Sequence, residues 1–132
     1  MKILLAFSLL LLGCAGYAAA AIESATLVGT DNGHFLVTYQ SRLQPVVINQ
    51  MHAWSLHVTD ADGNAVSDAV IAVKGGMPQH NHGLATAPTL GSLGGGDYLL
   101  QGLRFHMLGY WELVLTITAA DVTDQVTIAL TL

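Results

Sequence analysis

The chain has 132 residues, a length that suits one domain with room for a hydrophobic core. Four Lys or Arg residues oppose nine Asp or Glu, giving a formal charge of -5 at pH 7. This composition provides no electrostatic footprint for nucleic acid or for an anionic membrane surface, so polyanionic partners are not expected.

The N-terminal segment has the layout of an export signal. Lys2 precedes an unbroken apolar run, and small residues follow it. Two processing routes remain open: the sequence ending at Cys14 resembles a lipobox, whose cysteine would carry lipid, whereas Ala18–Ala21 suits ordinary signal peptidase and is slightly favoured. We therefore predict a signal peptide at residues 1–21 and an exported periplasmic domain at residues 22–132, either soluble or lipid-anchored through Cys14.

The cysteine content limits the chemistry of the exported domain. Cys14 is the only cysteine, so no intrachain disulfide can form, and cleavage after the alanines leaves no thiol. A metal site in the domain would then use His, Met or carboxylate ligands.

Short alternating runs separated by turn signals follow from Ser24 onward and predict an all-β domain. The predicted strands are Ser24–Thr30, His34–Gln40, His52–Thr59, Val66–Lys74, Tyr98–Leu103, Trp111–Thr118 and Thr123–Leu132. Asn32-Gly33 is a strong hairpin signal between the first two strands, and alternation in the third places Trp54 on the core face. The turn spacing favours an immunoglobulin-like antiparallel β-sandwich of about seven strands.

Two connections in this pattern need an interpretation. Residues 60–64 (DADGN) contain spaced acidic residues, but the third spaced ligand and the distal glutamate of a calcium loop are missing, which favours a turn. Residues 75–96 form a long predicted connection, and unstructured loops of this length in compact domains are usually functional or disordered. Met77 and Pro78 within it favour an ordered path.

The connection contains His80 and His82, two residues apart. On an extended segment both imidazoles would leave the backbone on the same side and could converge on one ion. Met77 adds a soft thioether that binds Cu(I), while imidazole accepts Cu(II) and Zn(II), so the set suits copper in either oxidation state. A His-x-His pair between glycines is also what a solvated polar turn would show.

Other histidines and methionines are weaker candidates. His52 is a possible third ligand, or a partly buried histidine whose ring bonds a backbone carbonyl. His106 and Met107 are adjacent, so on an extended chain at most one of them can join a given site, and Met107 also suits a core filler. His34 and His57 receive no role. No nucleophile stands in a catalytic motif, so no enzyme is expected.

Four segments together resemble the YtkA-like, or FixH-like, domain family: MHAW from Met51, VTDADGNAV from Val58, GGMPQHNHGLAT from Gly75 and GDYLLQGLRFHMLGYWEL from Gly96. The resemblance covers most of the predicted domain and implies a small exported or membrane-anchored β-sandwich, often linked with copper handling or cytochrome oxidase assembly. The matching positions are His52, Met77, His80, His82 and Met107. Asn81 and Leu108 depart from the family pattern, which often has glycine and proline there.

Two functional hypotheses follow from the residues and the resemblance. The first is a copper-binding accessory domain, of the carrier or oxidase-assembly type, that works with a membrane or periplasmic protein of copper handling. The second is a metal-free interaction module that docks on a membrane protein partner. Neither hypothesis includes a catalytic residue, a nucleic acid or a small-molecule substrate.

Overall fold

A computed structural model describes residues 25–132, so the predicted signal peptide at residues 1–21 lies outside the described residues. The described chain forms nine strands. In chain order they are β1 (Thr26–Gly29), β2 (Phe35–Ser41), β3 (His52–Asp60), β4 (Val70–Met77), β5 (His82–Gly83), β6 (Thr89–Gly94), β7 (Asp97–Leu103), β8 (Tyr110–Ala119) and β9 (Val122–Thr131). Within this range no helix has the length and apolar character needed to cross a membrane.

The strands form two antiparallel sheets, which confirms the predicted all-β sandwich. The first sheet has the order β1-β2-β3-β7-β6 and the second β5-β4-β8-β9. The predicted hairpin is present, because β1 and β2 pair antiparallel and Gly33 takes the positive φ of 75° that its turn requires.

Alternating side chains of both sheets fill the core, as period-2 patterning requires. Trp54 on β3 is buried, and on β8 every second residue from Trp111 to Ile117 points inward. The core anchors predicted from the sequence are therefore confirmed.

The predicted connection at residues 75–96 is the main correction to the strand assignment. Strand β4 begins at Val70 rather than Val66 and continues through the glycines to Met77, and β5 and β6 lie in the segment expected to be a loop. Gly75 lies within β4, and a Cβ built on it would lie 2.6 Å from Leu113 Cδ2 and 2.7 Å from Leu84 Cδ1. Glycine fits this strand position because the Leu113 and Leu84 side chains occupy the space that a side chain would need.

The antiparallel strands give the sandwich two ends with different chemistry. We call the end formed by residues 42–51, 78–81 and 104–109 the histidine end, where the Asn49 amide donates to the Phe105 carbonyl over 2.7 Å. We call the opposite end, formed by residues 30–34, 60–69 and 120–124, the aspartate end. There the Asp31 amide donates to the Gln125 carbonyl over 2.8 Å and joins the two sheets.

Candidate functional site

The paired histidines lie on a tight turn rather than on an extended segment, so the geometric premise for their pairing was wrong. Pro78–His80 is a single 3₁₀ turn, and Asn81 closes it in the left-handed conformation at φ 52°. His82 then begins β5. The turn nevertheless brings the two rings together, with centroids 5.8 Å apart and planes 27° from parallel.

His106 is the histidine that sequence reasoning did not choose for the site. Its ring centroid lies 5.3 Å from that of His82. The opposite-face rule that set it against Met107 does not apply, because residues 104–109 belong to no strand. A usable signal was present in the flanking aromatic residues Phe105 and Trp111, which are both fully buried and hold the intervening segment against the core.

Trp111 forms the wall behind this histidine cluster, which consists of His80, His82 and His106. The indole packs edge-on against the His106 and His82 rings, with ring centroids 5.3 Å and 6.5 Å apart respectively. Its Nε1 donates to the Met107 carbonyl over 3.0 Å, which fixes the backbone of the 104–109 loop. The histidine cluster therefore packs against a buried residue of strand β8 and not only against loop residues.

Two ring nitrogens of the cluster are buried without a partner. The Nδ1 atoms of His82 and His106 have no hydrogen bond within the described chain, although both are shielded from solvent. A buried polar atom left in this state costs free energy, on the order of 1–3 kcal/mol. Such an atom calls for an explanation, and an ordered water, a bound ion or a functional role can each supply one.

Met77 lies directly behind the cluster. It pairs with His82 in the β4–β5 register, so the two side chains leave the backbone on the same face. Met77 is fully buried, and its Cε would lie 2.9 Å from a Cβ built on Gly109. Gly109, with φ 126°, thus lets the loop after His106 approach the thioether closely.

The other two residues predicted as ligands occupy different surroundings. His52 Nδ1 donates to the Gln50 carbonyl over 3.1 Å, in agreement with the alternative interpretation of this histidine, and its ring contacts Phe105 at 5.6 Å. Its Nε2 is buried without a partner. The Met107 side chain is partly exposed at the surface of the histidine end. Metal binding by either residue remains a prediction.

The spacing of the histidine cluster suits one metal ion, but the present ring orientations do not complete a site. Imidazoles that share an ion at a metal–nitrogen distance of about 2.0–2.1 Å have ring centroids roughly 5–6 Å apart. The observed separations of 5.3 and 5.8 Å fall in this range. In the part of the chain that the structure describes, no three His, Cys, Asp or Glu side chains are arranged to hold a metal ion as they stand. Ring rotation would therefore have to accompany binding.

A cleft of about 360 Å³ opens beside the cluster on the outer face of the second sheet. His82, Lys74 and Glu112 line it, with Gly76 as part of its floor. Glu112 accepts a hydrogen bond from the Tyr110 hydroxyl over 2.9 Å, and this bond raises the pKa of Tyr110. The cleft reaches His82 from the face of the sheet that carries Lys74 and Glu112.

Comparison with known proteins gives one result. A family model described as YtkA-like matches residues 35–116, a range that contains the histidine cluster, Met77 and Trp111. No curated protein and no solved structure matches the chain.

Proposed function

The chain belongs to the YtkA-like family, and we propose that it is an exported accessory domain that binds copper at the histidine cluster. In this proposal His80, His82 and His106 supply imidazole ligands and Met77 supplies a thioether. The domain would carry the ion to, or receive it from, a membrane or periplasmic protein of copper handling. The proposal assigns no catalytic residue.

The observation that carries the proposal is the pair of unpartnered nitrogens on His82 and His106. Two half-buried imidazoles 5.3 Å apart, each with a buried and unpartnered Nδ1, are costly for a domain that only needs to fold. A metal ion between them would replace the missing hydrogen bonds with coordinate bonds. Relief of the free-energy cost of the unpartnered nitrogens would then favour metal binding.

Copper fits the available donor types better than other common ions. Hard cations prefer oxygen ligands, which the cluster lacks, and structural zinc usually takes cysteine, which the described residues do not contain. Imidazole accepts Cu(II), and a thioether adds preference for Cu(I). When bound, the ion would serve as cargo that is loaded and released by exchange of these ligands.

One observation favours the second hypothesis, a metal-free interaction module. Leu108 exposes 67% of its surface directly beside the cluster, and exposed apolar residues of this kind are common at protein interfaces. An interaction module would bind no stoichiometric copper. The two hypotheses are therefore separated by a single titration.

The test is a titration of residues 22–132 with Cu(I) in competition with a chelator, and with Cu(II) by calorimetry. We expect one ion per domain. Loss of a residue that merely orients a ligand weakens metal binding about 10–100-fold, so His82→Ala and His106→Ala should each weaken it by at least that factor. His34→Ala at the aspartate end is the matched control and should bind normally. Absence of stoichiometric binding in both oxidation states would overturn the proposal.

Met77→Leu separates the role of the thioether from that of the imidazoles. Leucine keeps the volume of this buried position, so folding should be little affected. We expect Cu(I) affinity to fall while Cu(II) affinity changes little. Binding of both ions should weaken in acid, because protons compete for the imidazole nitrogens. Unchanged Cu(I) affinity in Met77→Leu would remove Met77 from the ligand set.

A further inference from the structure

Half of the eight large hydrophobic side chains that are exposed within residues 25–132 lie on loops of the histidine end, and the other half lie on strands. Of the large hydrophobic residues that are exposed, four lie on the loops of the histidine end: Val47, Met51, Met107 and Leu108. The hydrogen bond between Asn49 and Phe105 holds the two loops that carry them side by side. These four residues, which we call the apolar tip, form one patch across two neighbouring loops.

Charge is divided between the two ends of the sandwich. The Lys and Arg residues of the described chain are Arg42, Lys74 and Arg104, which follow or approach the strand ends at the histidine end. The acidic residues of the aspartate end and its adjoining strands are Asp31, Asp60, Asp62, Asp68, Asp97, Asp121 and Asp124, while Glu112 lies nearer the cluster. The net charge of -5, from which no anionic partner is expected for the chain as a whole, is therefore a sum over two ends of opposite charge. The three cations lie toward the histidine end and the seven aspartates toward the other, so the expectation need not apply to the histidine end.

Two of the three basic side chains, Arg42 and Lys74, are exposed, whereas Arg104 is half-buried with a shielded Nε. Arg42 is exposed, and its Nε donates only to the neutral Ser55 hydroxyl over 2.9 Å. The one ion pair found within residues 25–132 joins His57 and Asp97 and includes none of the three cations. Their charges are therefore not neutralised by an ion pair with a carboxylate among residues 25–132.

The polypeptide also enters the domain at this pole. Strand β1 starts at Thr26, which pairs with Tyr39 close to the end of β2 at the histidine end. The described chain thus begins at the histidine end. A lipid anchor at Cys14, as the sequence permits, would hold this end toward a bilayer.

From these three observations we propose that the histidine end docks on an anionic phospholipid surface, with the apolar tip in the headgroup region and Arg42, Lys74 and Arg104 near the lipid phosphates. Basic residues are attracted to such a surface, and apolar side chains at loop tips insert into its interface. The seven aspartates of the opposite pole are repelled by it, so the domain has one favoured orientation. An acidic protein surface would attract the same pole but would not explain why the chain enters there.

The consequence concerns access to the histidine cluster. With the histidine end on the bilayer, the cleft beside His82 opens along the membrane plane, where the loops of an integral membrane protein would meet it. The proposal does not depend on copper. A domain that binds vesicles but no copper would uphold the docking surface and refute the proposed function, and the reverse result would do the opposite.

A site-specific label tests the orientation without metal. Residues 22–132 contain no cysteine, and both sheets and the core lie within residues 25–132, so the domain from Ile22 is suitable once a cooperative thermal transition is confirmed. A polarity-sensitive fluorophore would be attached at Leu108→Cys or, as the matched control, at Val70→Cys, which is 73% exposed at the opposite end. Vesicles would contain either phosphatidylglycerol with phosphatidylethanolamine or phosphatidylcholine alone.

We expect a blue shift of the fluorophore at position 108 with the anionic vesicles, its loss in high salt, and no shift at position 70. Arg42→Gln should weaken vesicle binding several-fold, whereas Val70→Asp, which lowers the net charge equally at the other end, should not. Equal shifts at both positions, equal shifts with both lipids, or no shift at all would overturn the proposal. In the last case an acidic protein surface would be left as the occupant of this end.

Discussion

The two ends of the sandwich treat their buried polar groups in opposite ways. At the aspartate end, the carboxylate of Asp124 is buried and every oxygen accepts hydrogen bonds. At the histidine end, His82 and His106 keep ring nitrogens that are buried and have no partner in the described chain. A satisfied network stabilises one folded state, whereas unpaired groups reduce stability. Trp54 Nε1 and Arg104 Nε, which are not metal ligands, are also buried without a partner, so the candidate site is marked by the two unpaired nitrogens that lie on neighbouring imidazoles.

The Asp124 network ties the β1–β2 turn to β9. The carboxylate accepts from the Thr30 hydroxyl at 2.7 Å and from the backbone amides of Asn32 and His34, and the Asn32 side-chain amide adds a further bond. Burial alone would raise the pKa of Asp124, but these hydrogen bonds and one from the Gln125 amide outweigh it and hold the pKa well below its usual range.

The largest expected effect is the loss of this network in Asp124→Asn. An amide cannot accept all of these bonds, so donors at the turn are left unpaired and the melting temperature should fall by many degrees. Copper binding at the other end should be unchanged. Differential scanning calorimetry would measure the change, with the exposed Asp121→Asn as control. A melting temperature equal to that of the control would show that the network contributes little.

The parent and Asp124→Asn should also differ in how their stability changes with pH. Because the folded-state pKa of Asp124 is lowered, its contribution to stability is complete above the ordinary carboxyl value of about 3.9 and is lost as pH falls through the folded-state value. The parent should therefore lose stability steeply below about pH 4. Asp124→Asn should show a shallower decline over that range in urea unfolding, and parallel curves would contradict the assignment.

Gly109→Ala should produce the next largest effect, at the histidine end. Alanine there would meet Met77 Cε at 2.9 Å and would take a φ of 126° that side chains rarely adopt, so we expect a loss of about 1–3 kcal/mol. Gly63→Ala, with φ 87° and open space around it, has the backbone strain without the contact and should cost less. If urea unfolding gave the two variants equal losses of unfolding free energy, Met77 would adjust freely to the added Cβ. The close packing of the 104–109 loop on the Met77 thioether would then not contribute to stability.

The fold could be predicted from the sequence because period-2 alternation is a local signal that burial reinforces. The core position predicted for Trp54 is correct for this reason. Strands β5 and β6 could not be predicted in the same way. Strand β5 has two residues and β6 is a mostly exposed edge rich in glycine, so neither carries an alternating apolar pattern.

The site could be predicted only in part, because its geometry arises from tertiary contacts. His80 and His82 were found from their spacing, although a 3₁₀ turn rather than an extended chain brings their rings together. His106 comes from a loop 24 residues beyond His82, and only the packing of Phe105 and Trp111 places it there. The flanking aromatic residues indicate that this segment packs on the core, but no local pattern encodes the contact between His106 and His82.

The smallest effect is expected for a substitution of His57. Its ring nitrogen has a carboxylate partner, so it can be compared directly with His82 and His106, whose Nδ1 atoms have none. His57 Nδ1 contacts Asp97 Oδ1 at 2.7 Å on the outer face of the first sheet, where the side chains are 43% and 60% exposed. Exposed pairs of this kind contribute about 0–1 kcal/mol. His57→Ala should therefore change the unfolding free energy by less than about 1 kcal/mol and leave copper binding intact. The measurements are urea unfolding and the same copper titration used for His82→Ala. If the two variants lost copper affinity equally, the unpartnered nitrogens would not distinguish the ligands from other histidines, and the contrast between the two ends would have no functional meaning.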